Sequence, residues 1–181
     1  TQSRSSAASD VYKRQAVDQS SEVDRDIEIN SFMNDVLMSV KPRRLNPERF
    51  PINIHCEGDI QVRAKAGPLN QILMNLIINS MVHAFDGRDQ GQVDISFQLM
   101  NDNELEIVYT DNGCGVDADI SRKIFDPFVT TKRGSGGSGL GLHLVYNLVT
   151  QVLGGNIHFF SEEDNGVEFI IRFPVTVLSN A

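Results

Sequence analysis

Five glycines and two serines fall within the ten residues Lys132, Arg133, Gly134, Ser135, Gly136, Gly137, Ser138, Gly139, Leu140 and Gly141. Such a loop can expose successive backbone N–H groups, because glycine tolerates positive φ and admits close approach of a ligand. Leu142, Leu144, Val145, Leu148, Val149, Val152 and Leu153 follow with largely helical spacing, so the loop opens into a helix. A glycine loop feeding a helix start is an anion site, most often for phosphate. The loop alone does not name its ligand. Gly134, Gly136 and Gly139 match G-x-G-x-x-G, yet no buried strand stands just before them as a dinucleotide fold requires. The Gly-Lys-Ser/Thr ending of a P-loop and the Val-Ala-Ile-Lys of a protein kinase are both lacking. A flexible linker would share the composition.

Two further groups could do chemistry. Asp111, Asn112, Gly113, Cys114 and Gly115 follow a run of strand-forming residues. A carboxylate at a strand end with two spaced glycines suits a planar ligand lying against the backbone. At neutral pH an aspartate only accepts hydrogen bonds, so its natural small-molecule partner is a donor such as the exocyclic amine of adenine. A turn closed by an Asx bond would use the same residues. Gln71, Asn75, Asn79 and His83 recur every four residues, a slowly drifting polar stripe on an otherwise apolar helix. Asparagine is a poor helix former, and two of them one turn apart suggest amides aimed at a ligand or ion, or else buried amides satisfying neighbouring loops.

These groups need a scaffold. From Ile27, the residues Ile29, Phe32, Met33, Val36, Leu37 and Val40 mark an amphipathic helix stopped by Pro42. Residues 50–56 and 60–64 read as strands of a hairpin around Gly58 and Asp59. The striped helix spans about 69–85, with Pro68 at its start. Residues 92–100 and 104–110 form a hairpin through Asn101, Asp102 and Asn103; 119–125 is a short helix. Gly154 and Gly155 stop the helix after the glycine loop, and 156–160 with 167–173 close a last hairpin around Asp164, Asn165 and Gly166. Three long helices and about six strands imply an α+β fold, a helix layer on one face of a mostly antiparallel sheet.

At 181 residues, 40% of them apolar and 22% charged, the chain reads as one soluble domain with a tail. The net charge of −8 argues against a nucleic-acid partner. Cys56 and Cys114 have neither disulfide-framework nor zinc spacing, which fits a reducing cytoplasm. No apolar run approaches the ~20 residues that span a bilayer. Residues 1–25, poor in large apolar side chains, read as a disordered leader or tail of uncertain origin, leaving 26–178 as the folded domain.

In order, Asn75-x-x-x-Asn79, Asp111-x-Gly113-x-Gly115, Phe125-Asp126-Pro127-Phe128 and the run Gly134 to Gly141 resemble the N, G1, F and G2 boxes of the ATP-binding domain of bacterial sensor histidine kinases. These belong to the GHKL superfamily, with gyrase B, the heat-shock chaperone ATPases and the mismatch-repair ATPases. The resemblance implies a two-layer α/β sandwich of the Bergerat type that holds nucleotide between helices and a mobile lid. By it Asp111 would bind the adenine amine, Gly113 and Gly115 would shape the pocket, and Asn79 would hold Mg²⁺ with Asn75 near the phosphates. Thr130, Thr131, Lys132 and Arg133 would belong to the lid, and Gly136, Gly137, Ser138, Gly139, Leu140 and Gly141 to the phosphate loop. His83, where relatives carry a lysine nearby, would cap the polar seam or donate to the γ-phosphate. His55, His143 and His158 are expected to be structural or exposed.

Hydrolysing members of the superfamily place a glutamate where Asn75 stands, and an amide cannot take a proton from water. None of the four histidines has the setting of a phosphoacceptor. The resemblance therefore implies a catalytic half, with Asn75 and Lys132 at the transfer site. It would pass the γ-phosphoryl of ATP to a histidine on a separate dimerisation domain, with a response regulator downstream, and be monomeric when isolated. A nucleotide-regulated interaction module and a GHKL-type ATPase are the alternatives.

Overall fold

Strand β1 (Arg25–Glu28) runs directly into helix α1 (Ile29–Val40), where Glu28 turns the chain. Its carboxylate accepts the Asn30 and Ser31 N–H groups at 2.8 and 2.7 Å, taking up two of the donors that a helix start leaves unpaired. Ile27 therefore lies in a strand and not in the helix expected from it. It pairs with Val62 and is buried, so its apolar character serves a sheet. The structure is a computed structural model and describes residues 23–43, 45–101, 103–130 and 139–178. Most of the stretch 1–25 lies outside the described residues, as do Arg44 and Asp102.

Beyond α1 come β2 (Ile52–Cys56), β3 (Gln61–Ala64), α2 (Ala66–Asn79), β4 (Val93–Met100) and β5 (Glu104–Asp111). The short helix α3 (Ala118–Ser121) precedes α4 (Gly141–Asn147), β6 (Asn156–Ser161), β7 (Val167–Pro174) and β8 (Thr176–Val177). Five strands form one sheet in the order β2-β4-β5-β7-β6, antiparallel except for the parallel pair β2 and β4; β1, β3 and β8 form a second, smaller sheet. The α+β expectation holds. The hairpin expected of β2 and β3 does not, because the strands belong to different sheets. Gly58 makes the turn at φ +77, but β3 pairs with β1 and β8 while α2 carries the chain back to lay β4 beside β2.

Strand β5 shows how the sheet splits its faces. Leu105, Ile107, Tyr109 and Asp111 are buried, and the residues between them are only partly covered. With Val93, Ile95 and Phe97 of β4 and Phe169, Ile171 and Phe173 of β7 they make the floor on which α1, α2 and α4 lie. Two of the helical segments each end in a wider turn, Ser80–Ala84 after α2 and Leu148–Val152 after α4. There Phe85 N–H reaches the Ser80 carbonyl at 3.1 Å and Leu153 N–H the Leu148 carbonyl at 2.9 Å, five residues back. Such π-turns recur at functional sites, and the first carries Ser80 and His83. The expected short helix over 119–125 is regular only through Ser121. It then tightens into i→i−3 bonds, Lys123 N–H to Ile120 O and Asp126 N–H to Lys123 O.

Candidate functional site

Asp111 is the last residue of β5 and points under the helix layer, where it is 6% exposed. Its Oδ1 accepts the Gly113 N–H at 3.0 Å and its Oδ2 lies 2.5 Å from the Ser80 hydroxyl oxygen. Burial lifts its pKa above the usual carboxylate range, although Ser80, backbone N–H groups and the charge of Arg88 pull it down. Behind it the loop lies hard against its neighbours. A Cβ on Gly113 would stand 2.3 Å from the Ala84 Cβ, and one on Gly115, at φ +65, would stand 2.1 Å from the Glu162 carbonyl oxygen. Only glycine fits at these two positions. The turn reading of Asp111 is realised in the Asx bond to Gly113, and the same residue lines a cleft.

Asn75, Asn79, His83, Asp111, Gly115, Gly139 and Gly141 border one cleft of about 410 Å³ between α2 and the start of α4. Gly113 is buried just behind it, and Leu140 is half-buried immediately before α4. The Asn75 amide donates its N–H to the Gln71 carbonyl at 2.9 Å. A Cβ on Gly141 would stand 3.3 Å from Asn75 Oδ1 and 3.7 and 3.8 Å from the Asn79 Oδ1 and Nδ2, so both amides face the first residue of α4. Thr130 also borders the cleft. Thr131, Lys132, Arg133, Gly134, Gly136, Gly137 and Ser138 lie outside the described residues.

Phe128 N–H donates to the Gly139 carbonyl at 2.9 Å. Phe128 is a non-glycine residue at φ 68, a conformation that persists only where its surroundings hold it. His143 ties the preceding stretch to α4. Its Nδ1 lies 2.9 Å from the Phe125 carbonyl and its Nε2 3.2 Å from Asn147 Nδ2, so the ring donates at Nδ1 and accepts at Nε2. The structural role expected of His143 fits, and His55 and His158 are exposed. Phe125 stacks on Tyr146 at 5.3 Å and reaches Phe159 and Phe169 at 6.3 and 6.4 Å, and Phe169 meets Tyr109 edge-on at 6.2 Å.

Ser80 and Tyr109 are the site residues that sequence reasoning missed. Both are buried, and the Tyr109 hydroxyl lies 2.7 Å from Ser80 Oγ and donates to the Leu76 carbonyl at 3.0 Å. A tyrosine two residues before Asp111, on the same face of the strand, was the available signal. Among the described residues no cluster of three or more His, Cys, Asp or Glu is placed to hold a metal ion. Both cysteines are free thiols, and no described helix is long and apolar enough to cross a membrane.

Residues 64–177 match the family model described as histidine kinase-, DNA gyrase B-, and HSP90-like ATPase. The autoinducer 2 sensor kinase/phosphatase LuxQ of Vibrio parahaemolyticus is 34% identical over 124 residues, covering 66% of this chain and 14% of its own length. The chain thus spans about a seventh of that relative. Among solved structures, the catalytic domain of histidine kinase ThkA superposes with a TM-score of 0.71 at 24% identity, covering 86% of this chain and 97% of that one. Full-length ShkA in complex with AMPPNP gives a TM-score of 0.70 at 26% identity, covering 87% and 32% respectively.

Proposed function

The chain belongs to the family of histidine kinase-, DNA gyrase B- and HSP90-like ATPases, and from that premise we propose that it is the ATP-binding catalytic domain of a two-component sensor histidine kinase. It would bind Mg-ATP and hand the γ-phosphoryl to a histidine on a separate dimerisation domain, for onward transfer to a response regulator. One arrangement carries this reading. An anchored carboxylate, Asp111, stands at one part of the cleft, and the two amides Asn75 and Asn79 face the start of α4 at another. The first suits a purine amine and the second a triphosphate with its cation.

In this reading the adenine amine donates to Asp111 Oδ1, which the Gly113 N–H holds in place. Asn79 gives Mg²⁺ a hard amide oxygen, and the cation would supply charge neutralisation at the phosphates. Gly139 and Gly141 let the phosphates approach the α4 start, with Gly136, Gly137, Ser138 and Leu140 completing the loop. Thr131, Lys132 and Arg133 add donors and positive charge from the lid, and His83 borders the same cleft from the end of the α2 segment. Phosphoryl transfer asks the protein for positioning and charge stabilisation more than covalent chemistry, which this set provides. Asn75 spends its N–H on Gln71, and its oxygen cannot take a proton from water, so transfer to a histidine is favoured over hydrolysis.

Incubating the chain with a dimerisation-domain fragment and γ-labelled ATP tests the proposal. Acid-labile label on the fragment's histidine is the expected result. Steady phosphate release with no labelled fragment would move the assignment to an ATPase.

A further inference from the structure

Three oxygen–oxygen contacts run in line behind the cleft. Asp111 Oδ2 lies 2.5 Å from Ser80 Oγ, Ser80 Oγ lies 2.7 Å from the Tyr109 hydroxyl, and that hydroxyl lies 3.0 Å from the Leu76 carbonyl. The chain is largely buried, with Asp111 6%, Ser80 2%, Tyr109 0% and Leu76 0% exposed, and meets the cleft at Asp111, Ser80 and Leu76. A carbonyl and an ionised carboxylate only accept, and each hydroxyl brings one proton. With Asp111 ionised, two protons must serve three contacts, and one oxygen pair meets lone pair to lone pair. With Asp111 neutral the count closes. Asp111 donates to Ser80, Ser80 to Tyr109 and Tyr109 to Leu76, every bond pointing the same way.

We propose that Ser80 and Tyr109 are positioning residues that favour the neutral acid form of Asp111 before nucleotide binds, and that the amine of a bound adenine, donating to Asp111, shifts it towards the carboxylate with loss of the proton. The inference deepens the ATP-binding reading of the same site and rests on it. Asp111 Oδ1 accepts the Gly113 N–H in either state, so the carboxyl keeps its orientation. What changes is its strength, since a charged acceptor makes the stronger bond to an amine. The proton leaves Asp111 for solvent, and the Ser80 hydroxyl turns to donate to the carboxylate.

The ionisable groups about Asp111 come from several elements. Tyr109 is on its own strand, and burial holds its phenol protonated well above its usual range. Arg88 follows the first π-turn and favours the carboxylate, and its guanidinium donates to the Asn112 carbonyl at 3.2 Å. His83 and Cys114 border the cleft, while β4 and β7 present only Val93 and Val167 as strand partners of Asp111. Burial raises the pKa of Asp111 against the Ser80 contact, the Gly113 and Val167 N–H groups and the charge of Arg88, all of which pull it down.

The test reads the Asp111 carboxyl carbon by NMR against pH in the nucleotide-free protein, assigned by its loss in Asp111→Asn. A midpoint above the ordinary aspartate value of 3.8 is expected. Tyr109→Phe, checked for folding by circular dichroism, removes one proton and two contacts and leaves Ser80 free to serve an ionised Asp111. Its midpoint should fall by about one pH unit, the worth of roughly one hydrogen bond. A parent midpoint at the ordinary value, or equal midpoints in two folded proteins, overturns the proposal. Calorimetric titration with Mg-ATP at mildly acid pH, in buffers of different ionisation enthalpy, should show proton release by the parent and less by Tyr109→Phe. Binding by the parent without release overturns the coupling. No binding at all, with the raised midpoint present, overturns the ATP reading and leaves the hydroxyl chain standing.

Discussion

Gly113 passes so close to Ala84 that a Cβ added at 113 would stand 2.3 Å from the Ala84 Cβ and 2.6 Å from the Ala84 carbonyl oxygen. The neighbouring Cys114 N–H donates to that same carbonyl at 3.0 Å. Here the end of strand β5 is stitched to the end of the α2 segment, and the Asp111 carboxylate is aimed by the stitch. Gly113→Ala must push the two apart. It should cost about 1–3 kcal/mol of stability, the usual scale of overpacking, and weaken nucleotide binding more than a surface change would. Urea denaturation and a binding titration read the two effects; an unchanged Kd in a folded variant would separate the stitch from the pocket.

Stability should carry the signature of Asp111. Its folded pKa is raised by burial, so between the ordinary 3.8 and that folded value the folded protein keeps a proton that the unfolded chain has lost. Stability from this group therefore falls as pH rises through the window. Relative to Asp111→Asn, the parent should lose stability on going from acid to neutral pH in urea denaturation. Asp94 should do the opposite. Burial would raise its pKa, but bonds from His55, Gln92 and Asn53 outweigh that and leave it lowered, so its contribution is lost as pH falls through its folded value. A difference from Asp111→Asn that stays flat with pH would contradict the sign.

Asn79 and Asn75 share the approach to Gly141 but not the same freedom, because Asn75 already donates to Gln71. Asn79→Ala should weaken nucleotide binding in the presence of Mg²⁺ by roughly tenfold, the worth of one bond to a charged group, and leave Mg²⁺-free binding nearly unchanged. Equal losses with and without Mg²⁺ would take the cation role away from Asn79.

Much of this architecture was legible because the decisive patterns are local. The buried alternation of Leu105, Ile107, Tyr109 and Asp111 writes a one-sided strand, and the turns at Asn101 and Asp164 have residues that tolerate the positive φ they adopt. The spacing of Asn75 and Asn79 places both amides on one helix side, and both do border the cleft. What stayed hidden depends on distant partners. Nothing within residues 50–64 says that β2 pairs with β4 while β3 pairs with β1 and β8, since alternation marks a strand and not its neighbour. Ile27 has the apolar spacing of the helix that follows it, and only pairing with Val62 makes it a strand residue. Nothing in the sequence around Ser80 marks it, because its partners Tyr109 and Asp111 come from a distant strand.

Calorimetric titration of ATP with Mg²⁺ into the parent and into Asp111→Asn at neutral pH tests the central claim most directly. The amide keeps the shape of the carboxylate and its bond from Gly113 but cannot be a charged acceptor. The account predicts binding by the parent and a loss of about ten- to a hundredfold in the variant, the range for a hydrogen bond to a charged group, with the variant no less stable in urea. Equal affinities in two folded proteins, or a folded parent that binds no nucleotide, would contradict it.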